Sequence, residues 1–203
     1  MFRPYSYRFF EDGGFPSSFD HEGAAAVFNT DFRVWLRYEQ LAKSTMVTAE
    51  EKTLLVLDLC YSAQPETIPA DILIKQAIWF HGCDFIDRSD IFNGKGMQAF
   101  KSIYQERLKK QQKRRQDKGP DYDFFWDATV LWGSFMSAYN IDLFRVDLHW
   151  WAFVGLVNEL PEQCGFQCLR RLRAAEPQDA PMDKRTDLRL SQALAAVPKD
   201  GVL

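Results

Sequence analysis

Long apolar runs are missing from this 203-residue chain. The longest, Leu54–Leu57 and Trp150–Val157, fall far below the roughly 20 residues that span a bilayer, so no membrane partner is expected. Between Met1 and Asp12, aromatics interleave with Arg3 and Arg8 instead of forming the apolar core of a secretory signal. Cysteine is scarce: Cys60, Cys83, Cys164 and Cys168 are too few for a disulfide framework and read as reduced thiols in a cytoplasm. No serine sits in a Gly-x-Ser-x-Gly elbow. Asn93-Gly94-Lys95-Gly96 lacks the Lys-Ser/Thr pair that completes a phosphate-binding loop. Neither charge dominates either, with 25 basic residues against 28 acidic, which excludes a global polycation that coats nucleic acid.

What is present is apolar and aromatic. Hydrophobic residues make up 46% and aromatics 15%, enough for a real core and too much for a disordered chain. Charge is unevenly placed: Lys101–Lys118 holds eight basic and two acidic residues, leaving 17 basic against 26 acidic elsewhere. A basic strip on an acidic body favours self-association or an acidic partner.

The pattern predicts a mainly α protein, a single compact helical domain with a short N-terminal β-hairpin or extended arm. Its parts are an arm or hairpin over 1–28, a helical domain over 29–175 with a basic connecting segment at 97–118, and a tail over 176–203 with a short amphipathic helix. Tyr5, Tyr7 and Phe9 alternate with Ser6 and Arg8 as a strand does, and a second extended piece falls at Ala26–Phe28. Helical spacing begins after Asn29 or Thr30, either of which can cap, with Phe32, Trp35, Tyr38 and Leu41 on one side. Thr48 and Glu51 form a capping box for a helix from Ala49 to about Tyr61, whose Leu54-Leu55-Val56-Leu57 centre reads as buried. Pro69 starts a third helix ending near Gly82. Asp121 can cap a fourth, with Phe125, Ala128, Trp132, Phe135 and Tyr139 as its stripe. Leu148–Glu159 is apolar nearly all round and reads as central. A continuation from Pro161 to about Ala175 follows, then a last amphipathic stretch over Asp183–Val197. Trp35, Trp132 and Trp151 are expected in the core.

Chemistry-bearing residues are few. His149, beside Asp147, has the makings of a general base, but a helix cap followed by a core or rim histidine is the reading that base rates favour. Cys164 and Cys168 share a helical face. Structural zinc needs four ligands, and only Cys60, His81 and Cys83 remain to complete a set that nothing in the sequence assembles. These cysteines read instead as small buried hydrophobes. No catalytic residue, metal or cofactor is expected, and the chain is read as a non-enzyme. The basic residues Lys109, Lys110, Lys113, Arg114 and Arg115 lack interleaved aromatics, so they point to a solvated or partner-contacting helix before nucleic acid. With Arg33 and Arg37 they are the candidate partner contacts. Six tryptophans and seventeen phenylalanines exceed what a small helical core needs, and that surplus argues for a binding protein.

Two blocks carry a resemblance. The run Asn29-Thr30-Asp31-Phe32-Arg33-Val34-Trp35-Leu36-Arg37 is one; the other is Tyr139-Asn140-Ile141-Asp142-Leu143 followed by Leu148-His149-Trp150-Trp151-Ala152-Phe153, with Leu160-Pro161-Glu162 after it. Together they resemble the bacteriophage gene-product-fifteen family over about residues 26–172. Asn29, Asp31, Phe32, Trp35, Asp142, His149, Trp150, Trp151 and Phe153 are its signature and core positions in this chain. Genes of that family lie among long-tailed-phage tail genes, just ahead of the tape measure gene. By that position the resemblance implies a tail assembly chaperone that binds the tape measure protein and other tail assembly proteins, with homo-oligomers open. It places the protein in the bacterial host cytoplasm and out of the mature virion. Two other readings stand beside it: a structural tail or connector component retained in the virion, and a nucleic-acid-associated phage protein using the basic helix.

Overall fold

The computed structural model describes residues 14–83, 121–175 and 180–196. In chain order its elements are β1 (Ser18–His21), β2 (Ala24–Phe28), α1 (Phe32–Lys43), α2 (Ala49–Cys60), β3 (Tyr61–Ala63), α3 (Ala70–Gly82), α4 (Ala128–Tyr139), α5 (Trp150–Asn158), α6 (Gly165–Ala174) and α7 (Arg185–Ala195). The protein is thus mainly helical with a small N-terminal sheet, as its sequence indicates. It gathers into two compact units: Met1–Met97 with Asp147–Asn158, and Gln98–Val146 with Glu159–Leu203. The expected strand through Tyr5–Phe9 and the whole basic segment lie outside the described residues.

In the first unit β1 and β2 pair antiparallel, from Ser18 opposite Val27 to His21 opposite Ala24. Glu22 and Gly23 join them, both with positive φ (52° and 84°), as a two-residue turn matched to strand twist requires. The Asp20 carboxylate accepts the Gly23 N–H at 3.1 Å and steadies that turn. Strand β3 adds on the other side of β2, with Phe28 opposite Tyr61. Sequence periodicity misses β3, because three residues are too few to show alternation. Tyr61 belongs to this strand and not to the preceding helix: it is buried, and its hydroxyl donates to the Leu73 carbonyl at 2.6 Å.

Helix α1 is capped by Asp31, not by Asn29 or Thr30; its carboxylate accepts the Arg33 N–H at 2.8 Å. The carbonyls of the other two candidates are used elsewhere. Asn29 receives the Trp35 indole N–H at 2.7 Å, and Thr30 receives the Trp150 backbone N–H at 2.8 Å. Helix α2 has the expected capping box, with Thr48 and Glu51 bonded reciprocally. Its apolar centre is not buried, however. Only Val56 and Cys60 of the helix are, while Leu54 is 69% exposed and Leu55 45%. A helix packed on one side buries one stripe, whatever the composition of the rest. Helix α3 starts after Pro69 and ends at Cys83 in a left-handed conformation (φ 51°). Helix α5 begins at Trp150, two residues later than expected, because His149 forms an antiparallel bridge with Asp31.

The second unit holds α4, α6 and α7. Helix α4 begins at Ala128, with Asp127 and not Asp121 at its N-cap. Phe125 therefore falls in the preceding turn and is exposed. The buried line is Leu131, Ser134 and Phe135, and Trp132 is only partly covered. The Ser134 hydroxyl donates to the Val130 carbonyl (2.8 Å) and accepts the Phe166 N–H (3.1 Å), so its burial leaves no polar atom unpaired. Helix α6 begins at Gly165, where a Cβ would lie 3.3 Å from Val130 Cγ1, and glycine permits that approach of α4 and α6. Helix α7, preceded by a 3-10 turn at Met182–Lys184, buries none of its residues. Leu190 and Leu194 are exposed, and Val197 lies outside the described residues.

Candidate functional site

The first block and the Leu148–Phe153 part of the second meet in the first unit, while Tyr139–Leu143 and Leu160–Glu162 belong to the second unit. Residues 30–32 and 148–150 exchange backbone hydrogen bonds: Phe32 N–H to the Leu148 carbonyl (3.0 Å) and Trp150 N–H to that of Thr30 (2.8 Å). Around this junction the side chains interlock. The Phe32 and Phe153 rings stack at 4.7 Å. Trp35 is fully buried against Phe28 and Phe80. Trp150 donates its indole N–H to the His81 carbonyl (3.0 Å) and stacks on the His81 ring, whose Nε2 lies 3.2 Å from Glu39 Oε1. Trp151 donates to the Phe80 carbonyl at 2.8 Å. Two tryptophans thereby fasten α5 to the end of α3, each with its polar atom paired.

His149 has both ring nitrogens committed. Nδ1 accepts the Trp151 backbone N–H at 3.1 Å, capping α5, and Nε2 donates to the Pro16 carbonyl at 3.1 Å. Its ring stacks on Phe15 at 4.9 Å. Burial lowers its pKa, with the Pro16 carbonyl working against that shift. The Asp147 carboxylate is fully exposed and lies 4.0 Å from Arg33, so a carboxylate-oriented base is not assembled here.

Arg33 bonds Asp31 at 2.9 Å and lies over the Phe32 ring at 4.8 Å, while Arg37 is exposed. Lys109, Lys110, Lys113, Arg114 and Arg115 fall outside the described residues. Asp142 belongs to the second unit. There it accepts the Trp132 indole N–H and the Phe144 N–H, each at 3.0 Å, and those bonds hold its carboxyl below the usual range.

The second unit also has a polar clamp that the sequence did not suggest. The Arg173 guanidinium makes a two-pronged pair with Asp127, 2.8 Å on the Nη2–Oδ1 arm, and donates from Nε to the Ala195 carbonyl at 2.6 Å. Both side chains are nearly inaccessible, at 9% and 3%. Arg170 pairs with Asp121 at 2.9 Å and lies over the Tyr122 ring. Partners this far apart in the chain leave no local spacing to read.

Among the described residues no group of three or more His, Cys, Asp or Glu is placed to hold a metal ion. Burial pushes the Cys60 thiol up to about 12, which keeps it protonated and unreactive. Cys168, expected as a buried hydrophobe, is exposed. No helix among the described residues is long and apolar enough to cross a membrane. Several large apolar side chains do stand at the surface: Leu54, Leu55 and Ile78 in the first unit, and Phe125, Trp126, Val130 and Phe144 in the second.

Taken by its parts, this is a small helical protein whose marked motifs build packing, with bare apolar side chains on its helices. The chain belongs to the Bacteriophage Gp15 protein family, whose family model matches residues 13–196. The match is longer than the motifs alone suggested, taking in β1 and β2 at one end and α7 at the other. No curated protein and no solved structure matches the chain.

Proposed function

We propose that this phage protein is a tail assembly chaperone, which binds the tape measure protein in the host cytoplasm during long-tail assembly and is left out of the virion. Family membership supplies the phage context. The observation that carries the reading is the surface: Leu54, Leu55, Ile78, Phe125, Trp126 and Val130 are exposed on or beside helices that are otherwise well anchored. Apolar side chains left at the surface of helices are what a binder of amphipathic helices needs. A tape measure protein is a long helical chain with apolar stripes, and it must stay soluble until the tail tube encloses it. Binding without catalysis suffices for that task. Contacts that are modest singly and repeated over many copies hold the long chain yet release it as tube subunits arrive.

The test is co-expression with the tape measure protein of the same phage. A soluble complex that survives size exclusion at low salt is expected. Equal insolubility of the long protein with and without its partner would refute the reading. Mass spectrometry of purified particles then separates a chaperone, absent from them, from a structural tail component, present in them.

A further inference from the structure

We propose that the outer face of α2 is the docking surface, and that it takes an amphipathic helix whose apolar stripe is flanked by lysine or arginine. The inference rests on the chaperone reading only for the identity of the natural partner. Residues 51, 54, 55 and 58 are spaced i, i+3, i+4 and i+7, so they form one face of the helix. They are Glu51, Leu54, Leu55 and Asp58, all exposed, and Glu50 beside them is exposed as well. The opposite side anchors α2 through buried Val56 and Cys60.

The packing of α2 leaves Leu54 largely and Leu55 nearly half exposed. Exposed leucine gives up burial, and an isolated helix surface is as well served by glutamine or lysine in propensity. The charge pattern then selects the occupant. Glu51 is held in place by the Thr48 N–H and hydroxyl, at 2.9 and 2.8 Å, and Glu50 and Asp58 stand beside the leucines. Lys52, the one basic residue of α2, sends its ammonium to the Ala42 carbonyl at 3.2 Å. An apolar strip with an acidic margin fits a helix that carries leucine-like anchors and a basic margin, and it repels one with an acidic margin.

The full-length protein is titrated with a synthetic amphipathic helix of leucine, alanine and lysine, and with the same peptide bearing glutamate for lysine. The lysine peptide should bind and the glutamate peptide should not. Leu54→Gln with Leu55→Gln should weaken binding at least about tenfold with only a small fall in melting temperature, because Leu54 is 69% and Leu55 45% exposed. The matched pair Leu190→Gln and Leu194→Gln on α7 should leave binding unchanged. Glu50→Lys with Asp58→Lys should weaken it by roughly tenfold at low salt, and by much less at about 0.5 M salt, where surface charges are screened. Equal binding of both peptides, or full binding by the α2 leucine variant, overturns the proposal. So does self-association abolished by that variant with no peptide binding, since the occupant is then a second copy. The two readings fail separately. A tape measure complex untouched by the α2 variants removes this surface and leaves the chaperone. Peptide binding at α2 with no tape measure complex does the reverse.

Discussion

Replacing Trp151 by alanine tests the junction of α5 with α3 most directly. The side chain is 1% exposed, its indole donates to the Phe80 carbonyl at 2.8 Å, and the Trp79 ring lies 5.4 Å away. Truncating a buried aromatic of this size costs about 3–5 kcal/mol, part from lost transfer energy and part from the cavity left behind. The Phe80 carbonyl also accepts the Cys83 N–H at 3.2 Å, so it is not orphaned, and the lost indole bond adds little beyond that range. For a chain of this size each kcal/mol moves the melting temperature by roughly 2–4 °C, so a fall of about 6–20 °C is expected. Trp151→Phe keeps most of the apolar surface and removes the donor, and should cost only about 1–2 kcal/mol. Calorimetry and urea unfolding of the three proteins measure both steps. A fall of less than about 3 °C for the alanine variant, or equal losses for the two variants, would show that α5 is not fastened through this side chain.

Two further outcomes follow from the polar contacts. His149 has a folded pKa below its ordinary value, so the unfolded chain binds the extra proton first. The stability it contributes is complete above about pH 6.5 and is lost as the pH falls through the depressed folded value. Thermal melts between pH 7.5 and 5 should show this loss, and His149→Asn, which keeps a capping acceptor, should flatten it; an unchanged slope would refute the assignment. Arg173→Met leaves the buried Asp127 carboxylate without its cation and should cost about 3–5 kcal/mol in urea unfolding, while adding Asp127→Asn should recover part of that loss. Strict additivity of the two changes would mean that the pair is not coupled.

Local signals were legible in the sequence where the physics is local. The Thr48–Glu51 box, the Pro69 start of α3 and the helical character of Trp150–Asn158 each depend on residues a few positions apart. Boundaries failed where a distant partner decides them. Asp31 caps α1 because residues 30–32 stay paired with 148–150 up to the first helical residue, and α5 starts late because His149 bridges Asp31. Burial failed where composition was read as environment. Leu54 and Leu55 look like core from their neighbours, yet of α2 only Val56 and Cys60 are buried. Trp132, expected in the core, is instead partly covered, with its indole bonded to Asp142.

The same contrast bears on where binding can reside. Phe32, Trp35, Trp150, Trp151 and Phe153 are all buried, His149 commits both ring nitrogens, and the Asp31 carboxylate is taken up in capping α1 and pairing with Arg33. These positions carry the sequence resemblance, and a fully buried side chain cannot also meet a partner. Substitutions there must act through stability, lowering the melting temperature and the amount of folded protein together. Substitutions at Leu54, Leu55 or Phe125 should cost much less stability and act mainly on the proposed binding, because those groups are 45–69% exposed. A panel scored for both melting temperature and tape measure binding separates the two classes. If junction variants that still melt well above the assay temperature lost binding as completely as the surface variants do, the partner would have to enter the junction itself, and the division between packing and docking residues would be wrong.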